Sequence, residues 1–495
     1  MRERLKAKPN PVVCQYLTEP ALAADSKRSF LNLADINLSH ILMLYKQGII
    51  DKDDADALLR AMAEIRDNGV SGIELDPEKE DFYFNIEAHL IGKVGLEVGG
   101  KMHTARSRND ILSTMTRLNV RDAVLPMYEK FLLARYLLLD LAEKNKGIVL
   151  TGYTHMQPAQ PISLTYYLLA IGQAMQRDFA RWLAAYERLN LSALGGAAFA
   201  GTSFPIDRHY VAKLLSCDAP LENNMDAVVA RDYLLEYTAA FATLGITISR
   251  FATDLYYWAT DEFGYVEVDD SIAVCSSIMP QKKNPVTLEH LRTKPAHLMA
   301  AFVSIFGTLK GIAYGHCRDG GGESHHMFWD ASAEMDAILE LLNVTLKNMK
   351  FKAAGAKERA DENFSTVTEL ADAIVKEEGI SFREAHEIVG HVVGVCIDRN
   401  LRATGIDSEM LDEASVIYIS RKLQWTDEHI REVLDANTSV NGKNDYGGPA
   451  PEQCDKMLAN QLAQLKKDEA RFLEIKHAII DGKAYLEKEI SDVIG

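Results

Sequence analysis

Three polar stretches carry side chains able to do acid–base chemistry on an anion. The first is His103–Asp110, HTARSRND, in which two arginines flank Ser107 and Asn109 follows. Arg108 offers a planar fork matched to a carboxylate, and Ser107 and Asn109 add neutral donors. Ser107, Asn109 or Asp110 also suits a helix N-cap, and arginines beside a helix start make an anion site. The second, Thr151–Pro161, TGYTHMQPAQP, sets Thr154 and His155 between Gly152 and Pro158. A histidine can move a proton near neutral pH and a threonine hydroxyl can hold a carboxylate oxygen, although a lone loop histidine is more often only solvated. The third is Val274–His290, VCSSIMPQKKNPVTLEH. Ser276 and Ser277 supply hydroxyls, Lys282 and Lys283 charge, and Asn284 an amide. A serine serves as a base only where cations or backbone N–H groups stabilise its alkoxide, and a loop holding serines and lysines together can provide that. The bland alternative is a surface loop with solvated lysines; against it, Ile278-Met279-Pro280 is apolar and prefers partial burial.

Other chemistries lack their residues. A serine–lysine hydrolase uses S-x-x-K, whereas Ser277 and Lys282 stand farther apart, and no G-x-S-x-G elbow occurs. Neither G-x-G-x-x-G after a strand nor a G-x-x-x-x-G-K-S/T loop is present. A formal net charge of −17 argues against nucleic acid as a partner but leaves a small anionic substrate open, because a local pocket can be positive. Six scattered cysteines without a CxxC pair read as reduced thiols of a cytoplasmic protein. The start MRERLKAKPNP has no apolar run behind it and reads as no secretory signal; no apolar stretch is long enough to cross a membrane.

These stretches interrupt a pattern that is helical nearly throughout. DADALLRAMAEIRDNG places Leu58, Leu59, Met62 and Ile65 on one stripe and stops at Asn68-Gly69. The segment from Asn109 to Gly147 is far longer than an ordinary helix, and Pro126 should kink it. Long helices are expected over Ser163–Leu191, Ala227–Phe263, Leu288–Ile312 and Met327–Met349, with a last one after NTSVNGKNDYGGPAPEQC. GHCRDGGGESHH, Gly315–His326, reads as a glycine-rich break. An all-α elongated bundle follows, and its broad apolar faces require self-association. Boundaries near Asp110 and Phe364 divide the chain into residues 1–110, a central bundle 111–364 and residues 365–495.

Together the three polar stretches resemble the signature regions of the fumarase/aspartase superfamily. SSIMPQKKNP is similar to its G-S-S-x-M-P-x-K-x-N-P signature, and HTARSRND and GYTHMQPAQP resemble the other two regions in the form of argininosuccinate lyases. DFYFNIEAHLIGKVG, NMDAVVARDYLLEY, DEFGYVEV, FREAHEIVG and YGGPAPEQC extend the resemblance over nearly the whole chain. It implies three helical domains, a homotetramer with a twenty-helix core, and active sites that draw the three regions from three subunits. It implies a carbon–nitrogen lyase that removes an amine from an N-(1,2-dicarboxyethyl) substrate by anti β-elimination and releases fumarate, with no metal or organic cofactor. By motif position, Ser276 is the implied base, and Lys282 and Asn284 hold carboxylates. Ser107, Arg108, Asn109 and Thr154 bind the succinyl end, His155 is the second catalytic group, and Glu289 orients its ring.

Four departures stand out. The glycine before the serine pair is Cys275, which restricts φ where glycine would bend freely. The glycine of T-G-R-S-R-N is Ala105, the milder change. The W-G-G-R-F segment is missing. In register from Thr308, a family tyrosine, glutamine and lysine that hold the amine half become His316, Gly321 and Ser324. The succinyl half is therefore intact and the amine half rebuilt. His316, Arg318, His325 and His326 suit a more anionic amine, as for relatives acting on ethylenediamine disuccinate. Three alternatives remain: argininosuccinate itself as substrate, a non-catalytic crystallin-like relative, and a metal site of His316, Cys317, His325 and His326, whose spacing matches no standard zinc finger.

Overall fold

The computed structural model describes Leu5, residues 7–352 and residues 354–495. Its helices begin and end where the local chemistry dictates. After α1 (Phe30–Lys46), Asp51 caps α2 (Lys52–Asn68) by accepting from the Asp54 N–H, and the helix stops at Gly69, whose φ of 71° favours glycine. Asp81 caps α3 (Phe82–Val94) in the same way. Ser107 and Asp110 form a capping box at the start of α4, which runs from Arg108 to Lys144. Helix α4 continues through Pro126, where a kink is expected. Pro126 and Asp122 are both exposed, so water can take the carbonyl that Pro126 leaves unbonded.

A hairpin of β1 (Val149–Thr154) and β2 (Gln157–Ser163) follows, then α5 (Leu164–Leu189) and α6 (Asp232–Trp258). The Val274–His290 stretch opens as a second, smaller hairpin, β3 (Val274–Cys275) against β4 (Lys283–Asn284), with Val274 opposite Asn284, and runs on into a helix. The helix expected over Leu288–Ile312 is divided at Lys294-Pro295 into α7 (Val286–Thr293) and α8 (Pro295–Leu309).

The glycine-rich stretch is a correction to the sequence reading. Arg318 already opens α9 (Arg318–Lys347), so the three glycines lie in its first turns and not in a loop. Glycine costs roughly 1 kcal/mol per helix position. Here the apolar face of the same helix, with Phe328, Met335, Ile338 and Leu342 buried, outweighs that cost. Helices α10 (Val367–Glu378), α11 (Phe382–Asp398) and α12 (Ser408–Ile419) follow, and α13 (Pro451–Ile494) ends the chain.

Apolar side chains gather in three main clusters. One joins α1–α3 and the first turns of α4. The largest joins the rest of α4 to α5, α6, α8 and α9 around Trp182, Tyr128, Phe131, Phe179 and Phe241. The third holds Leu370, Ile388, Leu411 and Ile430. Helix α13 places Leu458, Phe472 and Ile475 in the large cluster and Leu486 and Ile490 in the first. Buried Arg135 on α4 meets Asp468 on α13 at 2.6 Å, so this crossing is fixed by a charge pair as well as by area.

Candidate active site

The start of α4 is a rigid donor platform. Asp110 is fully buried, and its carboxylate accepts from four backbone N–H groups: Ser107 and Ile111 beside it, Gly195 and Ala197 across a turn. Burial raises its pKa to about 6 against these bonds, which lower it. Asn109 donates to the Ala198 carbonyl at 3.0 Å, so three hydrogen bonds staple the platform to the 195–198 turn. Arg108 lies over the Phe84 ring and commits Nη1 to Glu80 at 3.1 Å and Asp81 at 2.8 Å. Its other N–H groups have no partner among the described residues.

The strain here corrects one expectation. Ala105 has φ 66°, in the left-handed region that favours glycine, whereas Cys275 sits in the extended backbone of β3, where any residue fits. The alanine, not the cysteine, is the costly replacement.

Thr154 and His155 stand at the tip of the β1–β2 hairpin. Thr154 pairs with Gln157, and His155 and Met156 between them have φ 53° and 60°. A tight two-residue hairpin turn with both residues left-handed matches the strand twist but is normally given to Asn-Gly. Gly152 is required below it, because a Cβ there would lie 2.7 Å from the Gln160 carbonyl. The tip is exposed. The hairpin is anchored by Asn363, which donates to Thr151 at 2.8 Å, and by Tyr153 against the Phe263 ring.

In the third stretch, the Ser276 hydroxyl oxygen accepts from the backbone N–H of Met279 at 3.0 Å and of Ile278 at 3.3 Å. These are the donors an alkoxide needs. Lys282 and Asn284 make no side-chain hydrogen bond or ion pair among the described residues, whereas Lys283 is held by Asp270 at 2.6 Å. Ile278, expected to seek burial, is 83% exposed. Glu289 accepts from Tyr256 at 3.4 Å and has no bond to His155.

One chain cannot bring these three stretches onto a small molecule. Ser107 caps the start of α4 and the hairpin follows its end, and 37 residues span roughly 55 Å. The hairpin packs on Phe263, just past the end of α6, and Lys283 also reaches back to Glu267. Thr154, His155 and the Ser276 loop thus lie toward one end of the bundle, and Ser107, Arg108 and Asn109 lie at the other.

At the platform end two adjoining cavities share Glu80, Asp81, Leu112, His316 and Arg318, and a third meets the deeper of them at Arg231, His316, Cys317 and Gly321. One of the first two reaches Arg108 and Asn109. The other, about 390 Å³, continues to Arg28, Arg231, His325 and Trp329. His316 therefore stands between the platform and the deeper cavity. Burial, with the charges of Arg231, Arg318 and Arg108, lowers its pKa, so it is neutral at physiological pH. His326 points away, exposed beside Asp330, and among the described residues no three His, Cys, Asp or Glu side chains converge as metal ligands would. Asp110, Arg231 and Glu80 carry this geometry and were not marked as site residues by the sequence reading. Arg231 lay in DAVVARDY, a stretch that contributes to the family resemblance without an evident chemistry of its own; Glu80 directly precedes DFYFN, and Asp110 was read only as a helix cap.

Known proteins show the same arrangement of chain. The Lyase family matches residues 32–299, and the argininosuccinate lyase C-terminal family matches residues 364–441. Argininosuccinate lyase 1 of Shouchella clausii is 38% identical over 96% of this chain and 96% of its own, and the argininosuccinate lyase of Methanocaldococcus jannaschii is 39% identical over 86% and 87%. The chain belongs to the argininosuccinate lyase-like branch of the fumarase/aspartase superfamily. It is a carbon–nitrogen lyase. Among solved members of this superfamily, EDDS lyase in complex with formate superposes with a TM-score of 0.87 at 29% identity, covering 99% of this chain and 96% of that one. A 3-carboxy-cis,cis-muconate lactonizing enzyme from Pseudomonas putida, at 17% identity and a TM-score of 0.68 over 93% of this chain and 100% of its own, shares the fold. No helix among the described residues is long and apolar enough to cross a membrane.

Proposed function

We propose that the protein eliminates an amine from an N-(1,2-dicarboxyethyl) amine and releases fumarate, in a homotetramer whose sites take the α4 platform, the β1–β2 tip and the Ser276 loop from different subunits. The observation that carries this reading is the Ser276 hydroxyl, which faces two backbone N–H donors in a loop where Lys282 is uncommitted. As an alkoxide, Ser276 takes the proton from the carbon beside a carboxylate. The electron pair moves onto that carboxylate as an aci-carboxylate, then returns to form the double bond as the C–N bond breaks. Lys282 and Asn284 meet the developing charge. Ser107, Arg108, Asn109 and Thr154 hold the succinyl carboxylates, and His155, oriented by Glu289 across the subunit boundary, serves the nitrogen that leaves with a proton. His316 faces the amine.

Argininosuccinate is the substrate favoured by the names of the sequence relatives, and another N-succinyl amine is favoured by His316, Gly321 and Ser324 in the amine half and by the likeness to EDDS lyase. A panel of N-(1,2-dicarboxyethyl) amines that includes argininosuccinate, read by fumarate release, separates them. Ser276→Ala should lower kcat on the best substrate at least about 1000-fold with KM little changed, the pattern of a lost catalytic group. Turnover within tenfold of the unsubstituted enzyme would remove Ser276 from the role of base.

A further inference from the structure

In the deeper cavity Arg231 is a cation paired with no carboxylate among the described residues. Arg231 is only 8% exposed, yet it makes no ion pair among the described residues. Its Nη1 donates to neutral oxygens only: the Ala230 carbonyl at 2.7 Å, the Val228 carbonyl at 3.2 Å and the Ser113 hydroxyl at 3.2 Å. Its Nε is buried without a partner, as are Nδ1 of His316 and Nε2 of His325. All three side chains line the same cavity. An unpaired buried guanidinium is costly, and buried polar groups are ordinarily bonded, so three such groups facing one space mark a place kept for a ligand. The ligand must be an anion that accepts several hydrogen bonds.

The carboxylates nearby do not fill that need. Glu80 and Asp81 meet Arg108, and Asp81 also lies 3.6 Å from Arg318. Asp25 accepts from the Ser29 hydroxyl, and Asp319 accepts from the Gly320 N–H. Glu323 is exposed. The histidines add no charge: burial and the Arg231 and Arg28 guanidinium groups hold His325 down to about 3, and His316 is lowered as well. Each neutral ring can offer an N–H.

We propose that Arg231, flanked by His316 and His325, seats a carboxylate on the amine half of the substrate, so that the released amine is an amino acid and not a simple alkylamine. This rests on the elimination reading, since the cavity adjoins the Arg108–Asn109 platform that would hold the succinyl end. The guanidinium of Arg231 is held ready for such a ligand, because the neutral oxygens on Nη1 fix its plane and leave its remaining N–H groups open.

Matched substrates test it: argininosuccinate against its agmatine counterpart, and N-(1,2-dicarboxyethyl)alanine against N-(1,2-dicarboxyethyl)ethylamine. The enzyme should favour the carboxylated member of whichever pair turns over by about 100-fold or more in kcat/KM. Arg231→Gln should reduce that preference to a few-fold, by raising KM far more for the carboxylated member than for the other. Should Arg231→Gln not fold, His325→Ala, which removes a ring with no hydrogen bond, should reduce the preference about tenfold. Equal kcat/KM for both members, or equal loss on both in the variants, overturns the proposal while leaving the elimination reading intact. If no member of either pair releases fumarate, the elimination reading loses its support. Calorimetry then decides the pocket: arginine and alanine should bind, and agmatine and ethylamine binding as tightly would refute the carboxylate seat.

Discussion

Ala105 and Asp110 bracket the residues that would grip the succinyl end, and the two act on the stability of that segment in opposite senses. Asp110 gathers four backbone N–H groups and fixes where Ser107, Arg108 and Asn109 stand. Ala105 holds the same turn with a left-handed backbone at φ 66°, which costs about 1 kcal/mol for a residue with a Cβ. Ala105→Gly should therefore stabilise the protein by roughly 0.5–1 kcal/mol and raise Tm by about 1 °C. Cys275→Gly, at an extended position, should give no gain. Thermal unfolding of the two variants side by side checks the assignment. A Tm gain from Cys275→Gly and none from Ala105→Gly would mean the strain is placed at the wrong residue.

At the scale of elements, the long helices were legible because their apolar period and their caps agree: Asn68-Gly69 ends α2 as read, and Ser107 starts α4. The start of α9 was not legible. Gly320, Gly321 and Gly322 carry a loop signal, and what overrides it is burial of residues one and two turns later. The hairpin at Thr154–His155 was likewise invisible as a hairpin, since His-Met is not a turn dipeptide and its left-handed backbone is imposed from outside the sequence window. Two of the four partners of Asp110, Gly195 and Ala197, lie more than eighty residues away and leave no local trace, so the motif residues could be named while the frame that holds them could not. The glycines of α9 give a test. A Cβ on Gly322 meets nothing within 4 Å, whereas one on Gly320 lies 2.8 Å from Cδ1 of Ile312. Gly322→Ala should stabilise the protein by about 0.5–1 kcal/mol through helix propensity alone, and Gly320→Ala by less, because Ile312 must move. Chemical or thermal unfolding reads both. Equal gains would show that the Ile312 contact yields freely, and a loss from Gly322→Ala would contradict the helical start of α9.

The whole molecule must reconcile a long bundle with a small substrate. Roughly 55 Å of α4 separates the Asn109 platform from the hairpin that follows, so a single chain presents half-sites. Its surface bears the mark of a missing partner. Met299, Val303 and Phe306 on α8 are each more than half exposed at helical spacing, opposite the buried Leu298 and Ile305, and Ile278 beside Ser276 is almost fully exposed. In the proposed homotetramer, packing copies through these faces would cover them and carry the far end of one bundle to the near end of another. This arrangement has a consequence that a self-contained site lacks. On the proposed assignment Asn109→Ala spoils the platform and Ser276→Ala spoils the loop, so each variant alone should be inactive. If the two are unfolded, mixed in equal amounts and refolded, a site is complete only when its platform comes from a Ser276→Ala chain and its loop from an Asn109→Ala chain. Random assembly makes that roughly a quarter of the sites. Fumarate release should return to about a quarter of that of the unsubstituted enzyme refolded in parallel. No recovery from a mixture shown by mass to contain hybrids would place platform and loop in the same subunit. Val303→Asp supplies the complementary arm: a charge on the exposed apolar stripe should drop the mass seen by light scattering below that of a tetramer and abolish turnover with it, and a fully active monomer would end the shared-site reading.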